Sequence, residues 1–190
     1  EVGTMTGNEA TLAVIDALEA CSIPYMLVGS YSSNVYGVER STQDADFVVE
    51  LVEGAIGELS RRLSPSIRID RQMSFETVTM TTRFVAKVAE SPFKIEFFLL
   101  SSDPHDRERF RRRRKVAAAN REVWLPTAED VIITKLRWSL LGRRSKDRDD
   151  ARDVIAVQGD RIDWNYVHSW CEQHGTRGLL DEIRQSIPPI

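Results

Sequence analysis

A chain of 190 residues, 42% of them hydrophobic, is long enough to bury one real core, as a single compact unit or as a core with a helical appendage. Its net charge of -3 excludes a protein that binds nucleic acid through overall charge, and no apolar run approaches the ~18 residues a membrane-crossing helix needs. Two cysteines without paired spacing, Cys21 and Cys171, and no leader segment point to a reducing cytoplasm, and the three histidines form no zinc pattern with them.

Thr6 and Glu9 make a capping-box pattern, and Ala10, Val14, Ala17, Leu18 and Cys21 follow at helical spacing, which predicts a first, packing helix. Ser22 and Pro24 end it. An apolar strand over 25–28, a Gly29-Ser30 turn and a short polar helix closed by Gly37 come next. The following strand carries Asp44 and Asp46, two residues apart and therefore on one face. Adjacent carboxylates resist joint ionisation unless a cation neutralises them, and magnesium is the natural hard partner. Free N–H groups at the mouth of a helix bind phosphate, so Gly29 and Ser30 complement the carboxylates. The stretch reads as a metal–triphosphate site, against the plainer alternative that Asp44 caps the strand and Asp46 pairs with an arginine such as Arg40.

Residues 52–63 are expected to form a helix with Ile56, Leu59 and Leu63 on one face, and Ile67 and Ile69 a short strand. Residues 75–88 are expected to be extended and to form a hairpin with a strand over 93–100, across a turn at 90–92. On that last strand Lys94, Glu96 and Phe98 share one face, and Ile95, Phe97 and Leu99 the other. A charged Glu among apolar residues needs a partner. Lys94 or Arg83 could supply it on an exposed face.

Residues 104–115 read as a charged surface helix, whose RRRRK run at 111–115 is either a solvated helix end or a contact for RNA phosphates. A small strand pair over 116–118 and 122–125 precedes Pro126. Thr127 then caps a helix with the stripe Ile132, Leu136 and Leu140, and Lys135 stands at the stripe's edge, where a lysine usually snorkels. Asp147, Asp150 and Val154 share a face of the next helix, continued by Val157. Asp147, Asp149 and Asp150 are either helix-start carboxylates favoured by the macrodipole, or Asp147 or Asp150 orients Lys135 or a substrate group. Two packing helices, about 163–174 and 176–187, close the chain.

The apolar strand, Gly29-Ser30, the linker with Arg40 and Thr42, and Asp44-x-Asp46 before Phe-Val-Val together resemble the nucleotidyltransferase superfamily of the polymerase-beta type. The passage LPTAEDVIITKLRWSLLGRRSKDRDDARDVIAV resembles the C-terminal part of nucleotidyltransferases related to abortive-infection toxins of toxin–antitoxin pairs. The resemblance implies an α/β fold: a mixed twisted sheet with flanking helices over residues 5–125, then a C-terminal helical bundle over 126–190, with a cleft between. It implies a metal-dependent transferase that moves a nucleoside monophosphate from a triphosphate such as ATP to a hydroxyl of RNA, protein or a small molecule. Asp44 and Asp46 would hold two magnesium ions, and Glu96 would be the third carboxylate, with Glu76 a weaker rival. The resembled family more often has Asp at the place of Glu96. Gly29, Ser30, Arg40, Thr42 and Lys135 would bind the nucleotide, with Asp147 and Asp150 behind them. The implied partners are the triphosphate, RNA such as tRNA, and a cognate antitoxin. The competing reading is a catalytically silent protein of the same fold that binds a nucleotide or a partner.

Overall fold

The computed structural model describes residues 5–77, 80–118 and 121–188. Helix α1 (Gly7–Ala20) opens with the full capping box of Thr6 and Glu9. Strand β1 (Tyr25–Val28), helix α2 (Gly29–Tyr36), strand β2 (Asp44–Val49) and helix α3 (Ala55–Arg62) follow. Then come β3 (Ile67–Ile69), β4 (Ser74–Glu76), β5 (Thr81–Val88), β6 (Lys94–Leu99), α4 (Pro104–Arg112), β7 (Arg114–Ala118) and β8 (Arg121–Leu125). Helices α5 (Ala128–Gly142), α6 (Ser145–Gln158), α7 (Trp164–His174) and α8 (Arg177–Ser186) complete the chain.

The main sheet runs β1-β2-β6-β5-β3, with β4 also on β5. It is mixed: β2 and β6 lie parallel, while the other pairs are antiparallel. One face is the larger core. There Tyr25, Phe47, Phe97 and Ile95 meet α1 and α3 through Val14, Ile15, Leu18 and Leu59. The opposite face carries Met26, Val28, Val48 and Phe98, covered in part by Phe110 of α4. A separate core joins α5, α6, α7 and α8 through Ile132, Leu136, Val154, Val167 and Leu180. Tyr36 ties α2 to this bundle: its hydroxyl donates to the Pro126 carbonyl at 2.9 Å, and its own carbonyl accepts from Gln158 Nε2 at 2.7 Å.

Several expectations shift in detail. The helix expected over 52–63 starts only at Ala55, because Gly54 sits at φ 81° in the left-handed region just before it. The extended stretch 75–88 divides into β4 and β5, which pair with each other. The helix expected to 115 stops at Arg112, and Arg114 and Lys115 pair with Leu125 and Trp124 in the β7–β8 ribbon. Leu140 and Val157 are not core residues: they are 52% and 46% exposed, since each lies near its helix end, beyond the reach of the neighbouring elements. Among the described residues no helix is long and apolar enough to cross a membrane.

Candidate active site

The site is built at the start of the parallel pair. Asp44 faces Lys94 and Asp46 faces Glu96 in register, and Asp46 faces Val28 on its other side. Val28, Asp46 and Glu96 therefore share one face of the sheet. At the end of β1 the chain turns directly into α2 through Gly29 at φ 63°. A Cβ there would collide with the Asp46 carboxylate. Only glycine gives both the backbone turn and the close approach. Ser32 and Ser33 hydroxyls donate back to the Gly29 carbonyl at 3.0 and 3.1 Å and hold this first turn.

The carboxylates crowd one another. Burial, with the charges of Asp44 and Glu96, pushes the Asp46 carboxyl up to about 7, and Lys135 only partly opposes them. Thr42 Oγ1 donates to Asp44 Oδ1 at 2.8 Å. Arg83 Nη1 lies 3.2 Å from Glu96 Oε2 and draws that side chain toward β5. The arginine partner considered for Glu96 is thus present. Arg40 is not the partner of Asp46, however. It makes two bonds to Asp150, 2.9 and 2.8 Å, and a third to Ser30 Oγ at 3.1 Å. Asn34 fixes this linker by donating to the Arg40 carbonyl at 2.7 Å.

Lys135 does not snorkel. It is 5% exposed and its ammonium lies 2.9 Å from Asp147 and 2.8 Å from Asp150. Burial works against the charge on Asp150, but the Arg40 and Lys135 contacts outweigh it and hold its carboxyl below the usual range. A continuous chain of charge, Ser30 to Arg40 to Asp150 to Lys135 to Asp147, thus links the Gly29 turn to α5 and α6. Among the described residues no three His, Cys, Asp or Glu side chains converge tightly enough to cage a metal as they stand. Their chemistry nonetheless fits a hard divalent cation: oxygen donors carrying a repulsion nothing on the protein fully cancels.

The fold recurs in solved structures of low sequence identity. The antibiotic-resistance factor ANT(2'')-Ia, in complex with adenylyl-2''-tobramycin, matches at 14% identity with a TM-score of 0.60, over 90% of this chain and 99% of that one. An antigenic nucleotidyltransferase-like protein from Paracoccidioides brasiliensis matches at 16% identity and a TM-score of 0.53, over 99% and 97%. This chain has the nucleotidyltransferase fold. A third example is the Helicobacter pylori protein JHP933, at 13% identity and a TM-score of 0.53, over 95% of this chain and 90% of that one. No protein-family model matches the sequence, and no curated protein matches it.

Within this nucleotidyltransferase fold, the residues singled out by sequence fall into two adjoining groups. Asp44, Asp46 and Glu96 lie on the sheet beside Gly29, whereas Arg40, Lys135, Asp147 and Asp150 form the charge chain that reaches Ser30. Glu76 stands apart, on β4, which is separated from β2 by β6 and β5. Sequence reasoning missed Trp138 and Arg109, which wall the space over Val28 and Phe98. The one available signal was that Trp138 falls one turn after Lys135 on α5.

Proposed function

We propose that the chain is a metal-dependent nucleotidyltransferase that moves a nucleoside monophosphate from a nucleoside triphosphate to a hydroxyl acceptor. The observation that carries this reading is the crowding of Asp46 between Asp44 and Glu96, directly against the Gly29 turn at the head of α2. Asp44, Asp46 and Glu96 would hold magnesium, which supplies charge neutralisation for the triphosphate and a lowered pKa for the acceptor hydroxyl. Gly29 and Ser30 receive the β and γ phosphates on their N–H groups, and Arg40 and Lys135 offset phosphate charge from the side. The acceptor oxygen bonds to the α-phosphorus, the bond to the bridging oxygen breaks, and pyrophosphate leaves toward the Gly29 turn. The hydroxyl proton passes to Glu96. Positioning and electrostatics supply most of the rate in such a reaction.

A second reading, a silent nucleotide-binding module, is favoured by one observation: Glu96, Arg40 and Lys135 are already engaged by Arg83, Asp150 and Asp147. Calorimetric titration of each of the four nucleoside triphosphates, with and without magnesium, separates the two. The transferase binds a triphosphate only with magnesium and loses this in Asp44→Ala/Asp46→Ala. Binding that ignores both magnesium and the double substitution would establish the silent module.

A further inference from the structure

The acceptor has a definable chemistry, in an inference that rests on the nucleotidyl-transfer reading above. Attacking and leaving oxygens in phosphoryl transfer lie roughly in line. The Gly29 turn adjoins β1, and the sheet order is β1-β2-β6-β5. With pyrophosphate leaving on the β1 side, the acceptor hydroxyl arrives from the β6–β5 side, past Glu96. Along the strands from these carboxylates the sheet face changes character within one residue pair. Val48 and Phe98, in register with each other, follow Asp46 and Glu96 by two positions, roughly 7 Å along the strands.

These residues floor a cleft roofed by α4 and α5. Val28, Val48 and Phe98 form its base, and Trp138, Leu141 and Met80 its wall and rim. Leu141 and Met80 are 60% and 70% exposed, large apolar side chains held at the mouth of a cleft. Its charged lining is already matched. Arg109 Nε lies 2.9 Å from Asp106 Oδ1, Arg137 lies 2.9 Å from Asp103, and Asp106 also accepts from Ser101 at 2.5 Å. At the Glu96 end Arg83 stands over the Phe98 ring, 5.6 Å from its centre. Asp106, the one carboxylate among these lining residues, is thus occupied, and two guanidinium groups, those of Arg109 and Arg137, stand in the same lining. An ammonium-rich acceptor would find no unpaired carboxylate in this lining. A hydrocarbon or aromatic surface would find Phe98, Trp138 and Leu141.

We infer that this cleft receives the acceptor, and that the acceptor is a neutral alcohol with an apolar or aromatic face rather than a polycation. The test follows the Trp138 indole N–H by NMR in the full chain, assigned with Trp138→Phe, and uses 2-phenylethanol and tobramycin as probes, with triphosphate and magnesium present. 2-Phenylethanol shifts the Trp138 signal, and Leu141→Glu weakens its binding about fivefold, the loss of roughly one buried methylene or more. Mass spectrometry finds the nucleoside monophosphate on 2-phenylethanol at a rate about tenfold above that on tobramycin, a preference worth about 1.4 kcal/mol. Faster modification of tobramycin, or a Trp138 shift with tobramycin alone, overturns the inference. If the triphosphate binds with magnesium and 2-phenylethanol leaves Trp138 unmoved, the cleft assignment fails and the transferase reading stands. If no triphosphate binds but 2-phenylethanol still shifts Trp138, the transferase reading fails and the apolar ligand class of the cleft stands.

Discussion

Asp46 carries opposing demands. In the proposed reaction its charge would hold a cation, yet burial and two neighbouring carboxylates push its carboxyl from 3.8 up to about 7. The folded pKa lies above the unfolded one, so the associated stability is fully present below about pH 4 and is lost as pH rises through about 7. Asp46→Asn removes that titration. The variant should therefore be more stable than the parent at pH 8, by on the order of a few kcal/mol, with the gap closing toward pH 4. Thermal melts at the two pH values measure this, and a variant less stable than the parent at pH 8 would contradict it. The same substitution should reduce the proposed transfer by about 10² or more, because it removes charge where that reaction would need it. A gain in stability together with a loss of turnover is the signature of a functional site rather than a packing residue. Asp44 and Asp46 were legible from spacing because a strand's two-residue period needs no tertiary information. The same rule gave the face of Glu96 on its strand, but its place beside Asp46 came from the family resemblance, since strand pairing is tertiary information. The ion pair of Arg40 with Asp150 was not legible, because it joins residues 110 apart in the chain through a contact that only the folded bundle creates.

At the scale of elements, strong local signals survived folding and weak ones moved. The Thr6 and Thr127 caps, the β5–β6 hairpin and the β7–β8 ribbon stand where turn and capping chemistry put them. Boundaries that depended on what an element packs against did not: Leu140 continues the helical stripe but extends past its neighbours. The least legible feature is the aromatic cluster joining α4 to α7. His105 is buried against Asp130, with Nε2 3.1 Å from Oδ1, and its ring lies 4.9 Å from Trp170 and 5.3 Å from His174. Asp130 also accepts from the Tyr166 hydroxyl at 2.7 Å. Burial, then the charges of Arg137 and His105, push His174 from 6.5 down to about 4. Here the folded pKa lies below the unfolded one. The associated stability is present above about 6.5 and is lost as pH falls toward about 4. Denaturant titrations should show the midpoint falling across that window, and His174→Phe should flatten the fall. An unchanged slope in His174→Phe would assign the acid sensitivity to another group. Because α4 and α5 also roof the apolar cleft, loosening this cluster should expose Trp138.

At the scale of the whole molecule, the question is how strongly nucleic acid is attracted through charge. The net charge is -3, and RRRRK at 111–115 is the densest basic run. The structure divides that run between the end of α4 and the start of β7. Arg112 lies 3.3 Å from Asp130 and over the Tyr166 ring, and Arg113 packs between Phe110 and Trp124. Arg111 is exposed but makes two bonds to Glu108, at 2.9 and 2.7 Å. The guanidinium groups that look like a phosphate-binding strip in sequence are therefore mostly spent on internal contacts. Arg114 and Lys115 stay exposed on the outer ribbon. With about two or three cations left to meet phosphates, the logarithm of affinity for single-stranded RNA should fall against the logarithm of salt with a slope near -2 or shallower. Filter binding across a salt series measures this. A slope of about -4 or steeper would require Arg112 and Arg113 to leave their partners, and would make the basic run an RNA surface. A shallow slope would leave general charge attraction a minor contributor, as the internal pairing of Arg111, Arg112 and Arg113 requires.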